Sequence, residues 1–273
     1  MPSSRSRAAA GLRVSDVFKA IRVAILLFIL AFVAIGTWLS QARSTDWNNS
    51  LWVKVYPINA DGSEVVDRYI ASLDVEDFAG IEEFIARETE RYGRRVARPL
   101  RMELGLPVRH QPPTIDAESG VFGVMTWSLK LRWWASRTAG DQDRIAPDVR
   151  IFVRYHDPED AYILENSVGL QKGMVGIVNA RASRRHAGAN NVVIAHEFMH
   201  TLGATDKYDL ASGLPLAPDG LAEPDRQPLY PQRQAEIMGG RIALAADDAI
   251  VPKNLKYVVI GPLTAREIRL MDQ

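Results

Sequence analysis

Three closely spaced residues carry the most chemistry in this chain: His196, Glu197 and His200, within His196-Glu197-Phe198-Met199-His200. On a helix, residues four apart lie one above the other, so the two histidines can each offer an imidazole nitrogen to one metal ion. Glu197 falls about 100° further round. There its carboxylate can take a proton from a metal-activated water without ligating the metal. Zinc suits such donors, and it makes bound water acidic enough to attack a carbonyl near neutral pH.

The surrounding residues must deliver that geometry. Asn190-Asn191 offers a helix N-cap, and Val192-Val193-Ile194-Ala195 is an apolar run leading into the histidines. Gly203 stands where the helix should stop, and a left-handed glycine there would reverse the chain and bring Asp206 back toward the metal. The chain has five histidines and none follows His200, so a downstream third ligand has to be a carboxylate. Asp206 is the first candidate, Asp209 would need a longer excursion, and Glu223 or Glu236 could serve as a later glutamate ligand. Asp206 and Asp209 by themselves do not make a calcium site.

From His196 to Asp206 the sequence reads H-E-x-x-H-x-x-G-x-x-D, which resembles the metzincin clan of zinc peptidases in its aspartate-ligand, snapalysin-type variants. Glu236-Ile237-Met238-Gly239-Gly240 looks like the Met-turn that underlies the metal in that clan. The resemblance spans about residues 145–245 and is specific only over the zinc motif. It implies an α+β domain, a mixed sheet with an active-site helix, holding one zinc ion through His196, His200 and Asp206. Glu197 would be the general base and a peptide or protein the substrate. The chain departs from the clan at Gly240, where several metzincins carry a tyrosine. The candidates left to stabilise an oxyanion are Tyr208, Tyr230 and Arg241. An aspartate ligand also cancels one unit of the ion's charge and leaves the bound water less acidic, which predicts an optimum on the neutral to alkaline side.

Arg5, Arg7, Arg13, Lys19 and Arg22 precede an uncharged apolar stretch, residues 23–39, just long enough to span a bilayer. The basic excess predicts a cytoplasmic N-terminus (1–22), a transmembrane anchor (23–40) and an extracytoplasmic peptidase domain (44–273). Trp38 and Trp47 are placed to mark the outer interface. The competing reading is a signal peptide cut near Ser40-Gln41-Ala42. With 47% hydrophobic and 24% charged residues and no net charge, the chain is neither disordered in composition nor basic enough for nucleic acid. It has no cysteine, so neither disulfides nor thiolate chemistry enter.

Pattern assigns a strand to residues 51–58, ending near Asp61-Gly62. A helix over 75–92 is capped by Asp74, with Phe78, Ile81, Phe84, Ile85 and Glu88 near one stripe. Strands follow over 98–106 and 149–155. Between them, His110 lies in a proline-rich loop, and residues 125–134, with three tryptophans, read as a helix for packing or membrane-surface contact. His156, at a strand end, is an outside candidate for substrate contact. Residues 163–168 and 174–180 read as short strands before the zinc helix, with an edge able to hold an extended peptide. A proline-laden loop runs to Gln234, and a terminal helix over 263–271 takes Thr264 as its cap, with Glu267 three residues on. Two alternatives stay open: a non-catalytic envelope protein with a structural zinc, and a zinc amidase or deacetylase acting on a cell-wall amide.

Overall fold

Strand β1 (Leu51–Asn59) shows how the domain is layered. Its odd-numbered Leu51, Val53 and Val55 enter one core, while its even-numbered Tyr56 and Ile58 enter a second. A strand buried on both faces needs cover on both, and parallel strands joined by helices supply it. The computed structural model describes residues 19, 21–23, 25–28, 47–115, 120–140, 143, 145–159, 168–170 and 174–271.

The sheet has the order β2-β1-β3-β5-β4. β2 (Leu100–Leu104), β1, β3 (Val149–His156) and β5 (Val175–Arg181) are parallel, and β4 (Val168–Leu170) is an antiparallel edge strand on β5. Helices α1 (Glu64–Ala71), α2 (Ala79–Arg91) and α4 (Ala187–Leu202) contribute to the larger core, and α3 (Val121–Gly140) to the smaller. The expectation of a mixed sheet with helices holds in this coarse form. The helices are not segregated to one side, because the strands are apolar on both faces.

Asp74 caps a 3-10 turn, Val75–Phe78, its own backbone N–H donating in return to the Asp77 carboxylate, and α2 continues the turn. The stripe Phe78, Ile81, Phe84, Ile85 and Glu88 is buried as expected. Glu88 tolerates burial because Arg87 and Arg91 flank it and the Ile260 N–H donates to it. Of the strand expected over 163–168, residue 168 is extended as part of Val168–Leu170, and 160–167 lies outside the described residues.

Beyond α4, regular structure shrinks to two-residue pairs: β6 (Ala235–Glu236) with β9 (Val258–Val259), and β7 (Ile242–Ala243) with β8 (Ala249–Ile250). The terminal helix is α5 (Pro262–Glu267) with Gly261 at its cap. Thr264 is not the cap expected; it is buried inside the helix and donates to Glu236. Trp47 is likewise no interface marker, since its ring is buried and its indole N–H donates to the Ile268 carbonyl, 2.8 Å away.

The chain divides into two units, Met1–Arg43 and Ser44–Gln273. Of the expected anchor, residues 23 and 25–28 are helical with exposed side chains, and the rest lies outside the described residues, as does most of 1–22. Among the described residues no helix is long and apolar enough to cross a membrane.

Candidate metal centre

Helix α4 starts one turn earlier than its sequence suggests. Ser183 caps the 3-10 turn Arg184–His186, which runs straight into α4. Asn190 and Asn191 are therefore not caps but ties. Asn190 bonds the backbone N–H and carbonyl of Arg181 at the end of β5, and Asn191 donates to the Asp77 carbonyl. They fix the helix against the sheet in the register that aims its histidines. At the other end Gly203 takes φ 108°, and the Ala204 N–H reaches back to the Met199 carbonyl at 3.1 Å, a Schellman-type reversal.

That reversal orients a histidine directly. His200 donates from Nδ1 to the Ala204 carbonyl at 2.8 Å, and His196 donates from Nδ1 to the Ile237 carbonyl at 2.9 Å. With each Nδ1 proton so held, both Nε2 lone pairs are free for a metal. They sit 3.1 Å apart, and Asp206 Oδ1 lies 3.2 Å from His196 Nε2 and 3.1 Å from His200 Nε2. With both Nε2 atoms unprotonated, three lone-pair atoms at such separations repel one another unless a proton or a metal cation lies among them. A tetrahedral zinc site with arms of about 2.0–2.1 Å has ligand–ligand edges of about 3.3–3.4 Å, so the donor set fits zinc.

Glu197 is buried beside them, its ligand atom within 4.8 Å of those of both histidines. Its Oε2 is buried with no hydrogen-bond partner among the described residues. Burial pushes its carboxyl pKa up, and the histidines pull it only part of the way back. Burial would also raise Asp206, but the two imidazoles outweigh it and hold Asp206 well below the usual carboxylate range. For His196 the desolvation that lowers its pKa is overcome by Asp206 and Glu197.

The rival ligands are engaged elsewhere. Asp209 is exposed and closes a turn by accepting from the Ser212 N–H and hydroxyl. Glu223 accepts from Arg226 and the Arg233 N–H. Glu236 is fully buried and accepts from the N–H groups of Met238, Gly239 and Gly261 and from Thr264. Its role is to hold the turn Glu236–Gly240, in which Met238 is buried and Ile237 supplies the carbonyl for His196. Nothing in spacing reveals a carboxylate whose partners are backbone N–H groups.

The site opens into a cleft of about 480 Å³ lined by Val192, Val193, Leu210 and Val251 on its apolar side, with Tyr208 and Arg241 among its polar lining. The Tyr208 hydroxyl is beside Asp206, and burial first, then Asp206 and Glu197, raise its pKa and keep the phenol protonated. Arg241 lies over Gly213, whose φ of 68° leaves no side chain in the way. Tyr230 is not part of this lining, and His110 is exposed. His156 stands one residue removed, its Nε2 3.1 Å from the Oδ1 of Asn179, which does line the cleft. Sequence pattern also missed Lys207, whose buried ammonium bonds Glu267 at 2.7 Å and the Thr205 carbonyl, pinning the chain next to Asp206.

No protein-family model matches this chain, and no curated protein does. Forty-eight chains of solved structures match. One, described as the structure of a chaperone–substrate complex, is 16% identical with a TM-score of 0.42, over 81% of this chain and 34% of that one. This chain thus spans about a third of that one's length.

Proposed function

We propose that this chain is a zinc-dependent endopeptidase of metzincin-like architecture. The observation that carries the reading is the triangle of His196 Nε2, His200 Nε2 and Asp206 Oδ1, with both Nδ1 protons held by backbone carbonyls. The H-E-x-x-H-x-x-G-x-x-D spacing, the buried methionine in the turn under His196, and the antiparallel edge strand β4 support the same class. His196, His200 and Asp206 would hold the zinc ion, which would supply Lewis acidity to a water and to the scissile carbonyl. Glu197, whose buried Oε2 has no partner among the described residues, takes the water's proton and passes it to the leaving nitrogen. Tyr208, whose phenol lines the cleft, is the candidate donor of a hydrogen bond to the developing oxyanion.

Among the described residues three side chains, His196, His200 and Asp206, offer donors within about 3.2 Å of one another, which supports a catalytic over a four-ligand structural site. The cell-wall amidase reading calls for a narrow pocket with sugar-stacking aromatics. Among the described residues, Tyr208 is the one Phe, Tyr or Trp lining the cleft, which favours peptide. The N-terminal sequence supports placing the domain outside the cytoplasm on a membrane anchor. The test compares the full chain with Glu197→Ala for zinc content and cleavage of an unbiased peptide mixture. Both should hold one zinc, and the variant should lose a factor of about 10²–10⁴ in rate. Zinc in both without cleavage by either would move the assignment to the structural or non-peptide readings, and no zinc in either would remove it.

A further inference from the structure

Helix α3 is apolar on two opposite faces. Toward the sheet it buries Leu131, Ala135 and Ala139, and Trp134 packs on Phe152 with ring centroids 4.6 Å apart. On the far side Phe122, Met125, Leu129 and Trp133 are exposed by 84%, 57%, 60% and 65%. At 100° per residue these four fall within an arc of about 80°, opposite Leu131. A scatter of single exposed apolar residues needs no explanation, but a continuous stripe along three turns does. A helix apolar on both sides needs cover on both, and among the described residues only its sheet-facing side is covered.

The flanks of the stripe say what covers the other. The helix carries Lys130, Arg132 and Arg137 and no acidic residue. Lys130 and Arg137 border one side of the stripe and Arg132 the other, and the Arg137 guanidinium lies 5.5 Å from the Trp133 ring centroid. Aromatic and aliphatic side chains bordered by cations match the boundary between acyl chains and anionic headgroups. In sequence, residues 40–46 alone separate the apolar N-terminal stretch from Trp47, so a domain tethered by that stretch meets its own bilayer at high effective concentration.

We propose that α3 is an interfacial helix, laying Phe122, Met125, Leu129 and Trp133 into an anionic bilayer surface with Lys130, Arg132 and Arg137 on the headgroups. This surface is independent of the zinc reading. The chain has no cysteine, so one introduced thiol takes a spin label uniquely. The full chain is labelled at Leu129→Cys or, on α2, at exposed Glu90→Cys, and reconstituted in nanodiscs of phosphatidylcholine with or without phosphatidylglycerol. With phosphatidylglycerol, the label at 129 should show a severalfold loss of collisions with a water-soluble relaxing agent and a severalfold gain with lipid-dissolved oxygen, relative to 90. Adding Lys130→Glu and Arg137→Glu should return 129 to the accessibility of 90. Equal accessibility of the two labels in both lipids overturns the proposal. So does protection at 129 that needs no lipid and grows with protein concentration, which would assign the stripe to a second copy of the chain.

Discussion

The two halves of the domain are held together by different means. From β1 to β5, alternating side chains fill cores on both sides of a sheet, and the largest buried groups include Tyr56, Phe84 and Phe152. From Ala204 to Ile260 there is almost no regular structure, and the backbone is fastened by buried carboxylates and by close passage at glycines. Glu236 satisfies three backbone N–H groups, and a Cβ on Gly239 would stand 2.2 Å from the Gly220 carbonyl oxygen. The first means is periodic and tolerant of repacking; the second is aperiodic and depends on single atoms. The candidate metal centre lies where they meet, with two of its proposed donors on α4 and the third, Asp206, on the irregular segment.

The comparison is sharpest where equal stability losses should have unequal consequences. Phe84→Ala empties a core position and should cost about 3–5 kcal/mol. Glu236→Ala strips the carboxylate acceptor from the buried N–H groups of Met238 and Gly261, while the Gly239 N–H keeps the Glu236 carbonyl at 3.1 Å, and should cost about 2–6 kcal/mol. Urea unfolding checks both. Zinc per chain under folding conditions should stay at one for the first and fall for the second, because the Ile237 carbonyl that orients His196 belongs to the turn Glu236 holds. Equal zinc loss in both would mean that the site follows global stability rather than this turn.

A single methyl group divides the halves by sign. Gly239→Ala forces backbone against backbone and should destabilise by about 1–3 kcal/mol. Gly80→Ala, in α2 with only Asn191 Nδ2 at 3.8 Å, should stabilise by about 0.4–1 kcal/mol. Thermal unfolding of the pair decides whether the irregular half is as tightly packed as its geometry says.

The sheet half has its own polar tie, testable by pH. Lys54 bonds Asp143 at 2.7 Å and Glu103 at 3.0 Å, and the Tyr56 hydroxyl donates to Asp143. Burial opposes the Lys54 charge, yet the two carboxylates overcome it and raise its pKa; Tyr56 is raised by burial and by Asp143. For both groups a raised folded pKa means stability that is complete below the ordinary value and lost as pH climbs through the folded one. Melting temperature should therefore fall above about pH 10.5, the ordinary lysine value, and Lys54→Met should flatten the part due to lysine. The smallest effect belongs to Asp209→Ala, which opens an exposed turn and should leave zinc content and cleavage rate unchanged. A loss of zinc there would restore Asp209 as a ligand.

Much of the sheet half was legible because burial writes itself as periodicity. The strand at Leu51, the Asp74 cap and the stripe from Phe78 to Glu88 follow from alternation and 3.6-residue spacing. The misreadings share a cause. Asn190, Thr264 and Trp47 have side chains that suit a cap or an interface, and each is committed instead to a partner at least nine residues away or in another element. Local pattern cannot see a partner that only folding brings near.

What the sequence determined by itself is the donor chemistry: two imidazoles and a carboxylate at fixed helical spacing, a glycine to reverse the chain, and an aspartate to follow. What only the tertiary structure decided is which carboxylate arrives. Asp206 reaches both imidazoles while Asp209, Glu223 and Glu236 are occupied. The tautomers, too, were decided by carbonyls of Ile237 and Ala204 that no motif names. The physical reason is that helix spacing is set by covalent and local geometry, whereas the third donor and each imidazole's orientation are set by hydrogen bonds that exist only once the irregular segment has closed over α4.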